Sequence, residues 1–439
     1  MLTRRTCLGL LFGLAATPAW AEGANLTETP REGDCFRITT VTEVAGVLKT
    51  TRDGKPAAVK ISAKNEHVFV ERVMSADKAV VRKAARFYLT AAASATVDGD
   101  RVQRTLPSDR QLIVAQRTGD ALFCYSPQGP LTRPDLEVVS EHFETLHLTG
   151  LLPGKEVAVG ESWKLDSLVA QSLCLFDGLV SHDLTAKLKE VAAGTAVIAI
   201  EGTAKGIECG AIANLTVSAT VRFDVAKKRI VDVEWKQKDV RDQGPATPGA
   251  ELETTTTLKR EPLDRVPAEL ADAVVATIPA TDDPPATMKH LLHRDPKGRY
   301  RLLHAREWHV VGQTDYHLVL RYLDRGDFVA QATITPWQSA GAGKHLSPQE
   351  FEKLTQGGSN WKVEQVTDRT EVPTDADRWA YRVSARGELD GSPVVQNFYI
   401  VANANGDQVI LTFTMRPAGA SRIGTHDLEL VNAIDFPKK

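Results

Sequence analysis

The stretch AIANLTVSATVRFDV, residues 211–225, decides the fold prediction, because it is a long run rich in β-branched residues. Similar runs at 182–191, 195–204, 229–240 and 251–259 are separated only by short connections. Long strands joined by short turns favour an antiparallel sheet with one face in water. We therefore predict a β-meander in this part of the chain.

Residues 22–270 are predicted to form one β-rich domain around this meander. Apolar and polar residues alternate over Phe36–Glu43, and Asp53-Gly54 predicts a hairpin turn. Helices are also predicted, from capping residues and helical spacing, at residues 75–95, 132–146 and 167–176. The expected architecture is a curved antiparallel sheet with helices packed on its concave face.

A proline- and acid-rich segment follows this domain. Residues 271–289 contain Ile278–Pro285, a composition typical of an exposed, stiffened linker. We therefore predict that the chain divides here, with a second domain at residues 290–439.

The second domain is predicted to combine strands with two helices. Ser347-Pro348-Gln349-Glu350 is a capping box that predicts a helix to about Gly357. Asn405-Gly406 predicts a hairpin turn, and residues 425–434 predict a terminal helix. Together with the first domain this gives an α+β fold class, with two β-rich domains that carry helices.

The last third of the chain resembles the PsbP-like family. The resemblance rests on Glu307-Trp308-His309, the strand at 328–335, the helix SPQEFEKL at 347–354, and the strand VILTFTM at 409–415 followed by a helix and Phe436. It implies an antiparallel sheet with helices. Members of that family mostly bind or stabilise partners, so the resemblance implies a fold and no catalytic residue.

The N-terminal region resembles an uncharacterised family of exported, β-rich bacterial proteins. The resemblance rests on LLPGKEVAVGESW, residues 151–163. It implies no activity.

The first 21 residues have the pattern of a signal peptide. Arg4 and Arg5 precede the short apolar run Leu8–Ala16, and Ala19-Trp20-Ala21 is typical of a cleavage site. The segment Thr3–Leu8 also resembles a twin-arginine export signal, so that route and ordinary secretion both stay open. The predicted location is periplasmic or extracellular.

Composition argues against two classes of partner. The net charge is −3, so no basic field attracts nucleic acid. No long apolar run follows the signal, so no further membrane crossing is expected.

Four cysteines remain after Cys7 leaves with the signal: Cys35, Cys124, Cys174 and Cys209. An oxidising compartment favours two disulfides, for which we expect Cys35–Cys124 and Cys174–Cys209. Four buried free thiols are the alternative.

Histidines supply the best metal-site candidate. His290 and His293 form an H-x-x-H pair, which on a helix could offer two imidazoles to Zn²⁺ or Cu²⁺. Nearby lie His304, His309 and His317. The alternative is a histidine-rich surface at a domain junction, and no cofactor is expected there.

The sequence favours an exported, non-enzymatic binding or accessory protein of unknown partner. The alternative is a periplasmic carrier of a lipid or another apolar ligand, whose cavity would be lined by Leu168, Leu173, Leu175 and Phe176. A metal-dependent enzyme that uses the histidines at 290–317 ranks third.

Overall fold

The computed structural model describes residues 23–437 except 53, 79, 141–142, 358–359 and 375–376. The predicted signal peptide, residues 1–21, lies outside the described residues.

The described strands are β1 Gly23–Asn25, β2 Cys35–Arg52, β3 Lys55–Asp77, β4 Val80–Val97, β5 Asp100–Thr105, β6 Leu112–Thr118, β7 Ala121–Tyr125, β8 Glu156–Ala158, β9 Ser162–Lys164, β10 Gly178–His182, β11 Thr185–Ala192, β12 Thr195–Glu208, β13 Ala211–Asp224, β14 Arg229–Arg241, β15 Gly249–Leu263, β16 Leu291–Arg294, β17 Arg301–His304, β18 Trp308–Gln313, β19 Leu318–Asp324, β20 Asp327–Trp337, β21 Trp361–Val372, β22 Arg378–Leu389, β23 Ser392–Asn403, β24 Gln408–Met415 and β25 Ile434–Asp435. The α-helices are α1 Arg133–Val139, α2 Ser167–Leu173, α3 Asp272–Val275, α4 Ala286–Lys289, α5 Pro348–Thr355 and α6 His426–Asn432, and the 3₁₀ helices are Ser108–Arg110, Thr145–Leu151, Ala268–Leu270 and Pro417–Gly419.

Two large antiparallel sheets dominate the molecule. One has 13 strands in the order β7-β6-β4-β3-β2-β15-β14-β13-β12-β11-β9, with β5 paired to β4 and β10 paired to β12. The other has seven strands in the order β18-β19-β20-β24-β23-β22-β21. The two smaller sheets are β1-β8 and β16-β17-β25.

The predicted α+β class with packed helices is wrong. The chain is mostly β, with 57% of it in strands and 13% in helices, and two of its antiparallel sheets are large. The predicted helix at 75–95 is the end of β3 and most of β4. Ala84 and Ala85 contribute to two different core clusters, so β4 is buried on both faces and its apolar residues do not alternate. The spacing of the apolar residues in β4 therefore resembles that of a helix, which explains the wrong prediction.

The predicted capping box at Ser347 is confirmed, and the predicted N-cap Thr132 also forms a capping box. Thr132 caps α1 together with Asp135, and Ser347 caps α5 together with Glu350. The first helix ends at Val139, earlier than expected, and the chain continues as a 3₁₀ helix at Thr145–Leu151.

The main core lies on one face of the 13-stranded sheet, here called its inner face. Phe36, Ile38 and Phe69 of the sheet share this core with Leu146 and Val169 of the helical segments. The helical segments are therefore short additions to a core that is supplied mainly by strands.

The segment predicted as an exposed linker packs against the other face of this sheet. Ile278 is 5% exposed and belongs to a core cluster with Val70 and Val114. Gln116 Nε2 donates to the carbonyl of Asp282 at 2.6 Å. The expectation of exposure is therefore wrong for Ile278.

The two large sheets contact each other through turns and through arginine side chains, among them Arg306 and Arg321, which donates to the carbonyl oxygen of Pro245. Arg306 donates to the carbonyl oxygen of Cys124 at 2.7 Å and to that of Lys289 at 2.7 Å. The hairpin turns that contain Gly210 and Gly326 touch through their backbones. These contacts place the β18–β24 sheet beside β7 and the β12–β13 turn.

Candidate ligand-binding face

The four leucine and phenylalanine side chains predicted to line a cavity lie in different surroundings. Leu173 is buried in the main core, Leu168 is half-buried, and Leu175 is 36% exposed. The Phe176 ring lies directly against Gly206, where an added Cβ would overlap it. Only Leu175 and Phe176 share a cavity, a cleft of about 730 Å³ between the two large sheets.

Leu175 has a backbone conformation that normally belongs to glycine. Its φ is +58°, and it directly follows Cys174, the C-cap of α2. Leu175 N donates to Ser172 O, and Phe176 N donates to Gln171 O at 3.0 Å. This is the Schellman arrangement, in which the left-handed residue closes the helix. It fixes the leucine side chain at the border of the cleft.

The inner face is filled where the helical segments Arg133–Val139, Thr145–Leu151 and Ser167–Leu173 cover it. Together we call them the covering segment. The remaining void beneath them, lined by Thr42, His67 and Phe143 among others, has a volume of only about 10 Å³. Such a void holds about one water molecule. The carrier cavity expected between sheet and helices is therefore closed at this position.

Buried polar pairs hold the covering segment in place. Arg117 Nη1 donates to both carboxylate oxygens of Glu144 at 2.6 and 2.7 Å. His147 Nδ1 lies 2.6 Å from Ser172 Oγ. Burial, with help from the Arg117 charge, lowers the pKa of His147 to about 4. The imidazole is therefore neutral at pH 7 and serves as a hydrogen-bond partner between two helical segments.

Beyond the covering segment, the inner face continues as an uncovered apolar surface. It is formed by alternate residues of five neighbouring strands, which we call the open apolar face: Val44, Leu48, Val59, Ile61, Ala63, Ala95, Val97, Val102 and Leu252. Ile61 lies between Gly46 and Val97 in the ladder, and Ala63 between Val44 and Ala95. None of the nine belongs to a core cluster of the described residues.

The alternate residues of the same strands make the opposite face polar. Lys49 pairs with Glu251 at 2.5 Å, and Lys238 pairs with Glu253 at 2.8 Å. Lys60, Ser62 and Lys64 are exposed on that face. Antiparallel sheets commonly bury one face and expose the other to water, so an uncovered aliphatic face marks a candidate binding surface.

The open apolar face begins where the covering segment ends. Thr42 and Thr256 form a hydrogen-bonded pair of 3.0 Å across β2 and β15, and His67 Nε2 lies 2.6 Å from Val138 O. The next pair on this face after Thr42 and Asn65 is Val44 and Ala63, and both are half-buried. Along β3 the face runs from Ala63 to Val59, about 13 Å, and it crosses from β4 to β15 over about 14 Å.

Two acidic side chains border this face, Asp100 of β5, which lies opposite Val97, and Asp239 of β14. Asp239 of β14 lies opposite Leu252, is 7% exposed, and its Oδ1 has no hydrogen-bond partner among the described residues. Burial is the main cause that raises the pKa of Asp239 to about 6, and the nearby Glu208 adds to it.

The histidines do not come together as a metal centre. His290 follows α4 as its C-cap, and His293 is in β16, so the pair is not on one helix. His304 Nδ1 lies 2.9 Å from the carbonyl oxygen of Ala305. In the part of the chain that the structure describes, no three His, Cys, Asp or Glu side chains are placed to share a metal ion.

The four cysteines among the described residues are free thiols in this structure. Cys35, Cys124 and Cys174 are buried, and Cys209 is half-buried. The expected pairs Cys35–Cys124 and Cys174–Cys209 are not formed, so the alternative of free thiols describes this structure. Burial raises the pKa of Cys174 to about 12 and of Cys209 to about 11.

Comparisons with known proteins give only a faint likeness. No family model and no curated protein matches the chain. Cyanobacterial PsbP from Synechocystis sp. PCC 6803 is similar over 34% of this chain and 93% of its own, at 11% identity and a TM-score of 0.26. The Ran-binding protein Mog1p of Saccharomyces cerevisiae is similar over 34% and 95%, at 9% identity and a TM-score of 0.26.

Lipovitellin is similar over 54% of this chain and 26% of its own, at 8% identity and a TM-score of 0.31. A weak PsbP-like fold relation is all that these values support. Among the described residues, no helix is both long and apolar enough to cross a membrane.

The sequence reasoning missed the open apolar face. The signal for it was present, because Val59, Ile61 and Ala63 alternate with Lys60, Ser62 and Lys64 in the segment KPAAVKISAK, residues 55–64. Assigning that alternation to a face needed the register of β2 and β4, which sequence spacing does not give.

Proposed function

We propose that this protein is an exported binding protein that carries an apolar ligand on the open apolar face. The single observation that carries the proposal is the uncovered run of aliphatic side chains on five adjacent strands, opposite a charged face. Its action outside the cytoplasm is part of the proposal and rests on the signal-like sequence of residues 1–21.

The chemistry of the face favours an acyl or similar chain. We consider the stretch of sheet from the pair Val44–Ala63 to the pair Leu48–Val59. Within it, the residues of β2, β3, β4 and β15 that lie on the open apolar face carry no ionisable side chain. The backbone N–H and C=O groups of these strands are used in the ladder. An occupant therefore finds mainly dispersion contacts there, with the hydroxyl of Thr254 opposite Val44 as the one polar side-chain group at these positions, which suits a hydrocarbon.

A protein partner suits this face less well. Protein interfaces depend on aromatic and arginine anchors and carry about one hydrogen bond per 100–200 Å². The open apolar face contains neither an aromatic side chain nor an arginine.

Burying a methylene contributes about 0.8 kcal/mol, so ten methylenes of a hydrocarbon chain contribute about 8 kcal/mol. That exceeds an association cost that begins at about 4 kcal/mol.

Native mass spectrometry of the mature chain, purified from an exporting host, tests the proposal. We expect an apolar mass that co-purifies, or stoichiometric uptake of added dodecanol by the apo protein. A clean apo mass together with no uptake of dodecanol contradicts the proposal.

A groove on the seven-stranded sheet favours a second function, the docking of a protein partner. The groove has a volume of about 800 Å³ and is lined by Phe328, Val394, Met415 and Pro417 among others. Phe328 is 39% exposed. Exposed aromatic side chains of this kind are enriched at protein interfaces.

Photo-cross-linking in the exporting host tests this second function. A photoreactive amino acid replaces Phe328, and in the control it replaces Tyr316, which is 74% exposed and does not line the groove. We expect one discrete adduct from position 328 and none from position 316. Identical diffuse labelling from both positions contradicts a docking role.

A further inference from the structure

A second cavity lies at the edge of the open apolar face. It has a volume of about 440 Å³ and is lined by Arg104, Arg133, Glu137, His293 and Arg294 among others. Arg104 belongs to β5 and lies opposite Ala93, while Val102 of the open apolar face lies opposite Ala95. Arg104 and Val102 therefore project from the same face, about 7 Å apart along one strand.

The cavity carries an excess of positive charge. Arg104 and Arg133 both form ion pairs with Glu137, the latter at 3.0 Å. Arg294 is exposed and makes no ion pair with the described residues. Three guanidinium groups against one carboxylate leave an excess of two positive charges. Guanidinium groups recognise carboxylate and phosphate oxygens through paired hydrogen bonds.

A half-buried histidine, His293, also lines the cavity. His293 Nε2 is inaccessible to solvent and has no hydrogen-bond partner among the described residues. Desolvation by burial lowers the pKa of His293, so its ring is neutral near pH 7. The ring therefore adds no charge of its own to the cavity, and the positive charge there comes from the arginines.

We propose that this cavity binds the anionic head group of an amphiphile whose hydrocarbon chain lies on the open apolar face. The inference rests on the proposed function and adds the ligand class, a fatty acid or phospholipid-like anion. Its basis is the position of Arg104 on the same face as Val102 and the excess positive charge of the cavity.

Matched single-chain probes test this assignment on the mature full chain. Calorimetry compares dodecyl phosphate, dodecanol and inorganic phosphate. We expect dodecyl phosphate to bind at least about tenfold more tightly than dodecanol, because charged hydrogen bonds are added at the head group. Inorganic phosphate alone is expected to bind at least about tenfold more weakly than dodecyl phosphate, because it has no chain.

Two variants localise the effect. R294Q is expected to remove most of the preference for dodecyl phosphate and to leave dodecanol binding unchanged. R301Q is the control, because Arg301 lies opposite Arg294 in the ladder, pairs with Asp435 and does not line the cavity. It is expected to keep the preference.

The remaining outcomes each overturn a defined claim. Equal affinity of the wild-type protein for dodecyl phosphate and dodecanol overturns the head-group site and leaves the apolar carrier standing. Inorganic phosphate that binds as tightly as dodecyl phosphate shows a free-anion site and also overturns the assignment. If no chain-bearing probe binds, the proposed function itself fails.

Discussion

Gly210 and Gly326 lie in direct contact, one in the turn between β12 and β13 and the other in the turn between β19 and β20. A Cβ added to Gly326 would lie 3.3 Å from Gly210 Cα, and one added to Gly210 would overlap the carbonyl oxygen of Gly326. This contact joins the two large sheets beside the cleft that Leu175 borders.

Replacing Gly210 by alanine is expected to destabilise the protein by about 2 to 4 kcal/mol. About 1 to 2 kcal/mol comes from the left-handed backbone, where φ is +77°, and the rest from overlap with Gly326. Urea denaturation measures it. Gly99→Ala is the matched control, since Gly99 has φ +95° and nothing within 4 Å. Equal losses for the two variants would contradict a tight contact between the sheets.

The buried Arg117–Glu144 pair is expected to be costly to break. Both side chains are at most 3% exposed. Arg117→Met should lower the free energy of unfolding by about 3 to 5 kcal/mol, because it leaves the carboxyl group of Glu144 buried without its partner. The double variant Arg117→Met, Glu144→Leu should recover most of that loss. Additive losses in the double variant would show that the two residues act independently.

Asp239 makes stability depend on pH. Its carboxyl pKa is raised from 3.8 to about 6 by burial, so the folded chain binds more protons than the unfolded chain between these values. The stabilisation by this group is therefore present below about pH 4 and is lost as pH rises through 6. The full loss is about 3 kcal/mol, because each pKa unit corresponds to about 1.4 kcal/mol.

Asp239→Asn is expected to remove that dependence. The variant and the wild-type protein should have similar free energies of unfolding at pH 4, and the variant should be the more stable above pH 6. Urea denaturation at a series of pH values measures the difference. A constant difference across this range would contradict the buried, protonatable Asp239.

The thiol content separates the two interpretations of the cysteines. The mature chain is expected to hold four alkylatable thiols after unfolding without reductant. In the native state they should react slowly, because the raised pKa keeps Cys174 and Cys209 protonated at pH 7. Mass spectrometry after alkylation counts them. Two or no labelled thiols in the unfolded chain would show that disulfides form.

Local features of the fold could be predicted from the sequence, and features that depend on long-range pairing could not. Thr132 and Ser347 cap helices through residues three positions away, so short spacing suffices. By contrast, β2 pairs with β15, which brings Val44 beside Thr254. No local pattern specifies that neighbour.

The same holds for the candidate site, whose local pattern could be predicted from the sequence and whose long-range strand pairing could not. The alternation at Val59, Ile61 and Ala63 is visible in the sequence, but its continuation across Val97 and Leu48 exists only in the paired sheet. Leu175 and Phe176 were assigned to a ligand cavity from their apolar character. Their place at the cleft follows from the end of α2 and its contact with Gly206.

Binding of dodecanol to two variants of neighbouring residues in β3 tests the central claim most directly. Ile61 faces the open apolar face and Ser62 faces the charged side of the same strand. Both are replaced by glutamate, so the charge and the strand are matched. The account predicts that Ile61→Glu abolishes dodecanol binding measured by calorimetry, while Ser62→Glu binds it like the wild-type protein. Unchanged binding by Ile61→Glu, with its fold intact by circular dichroism, would contradict the account.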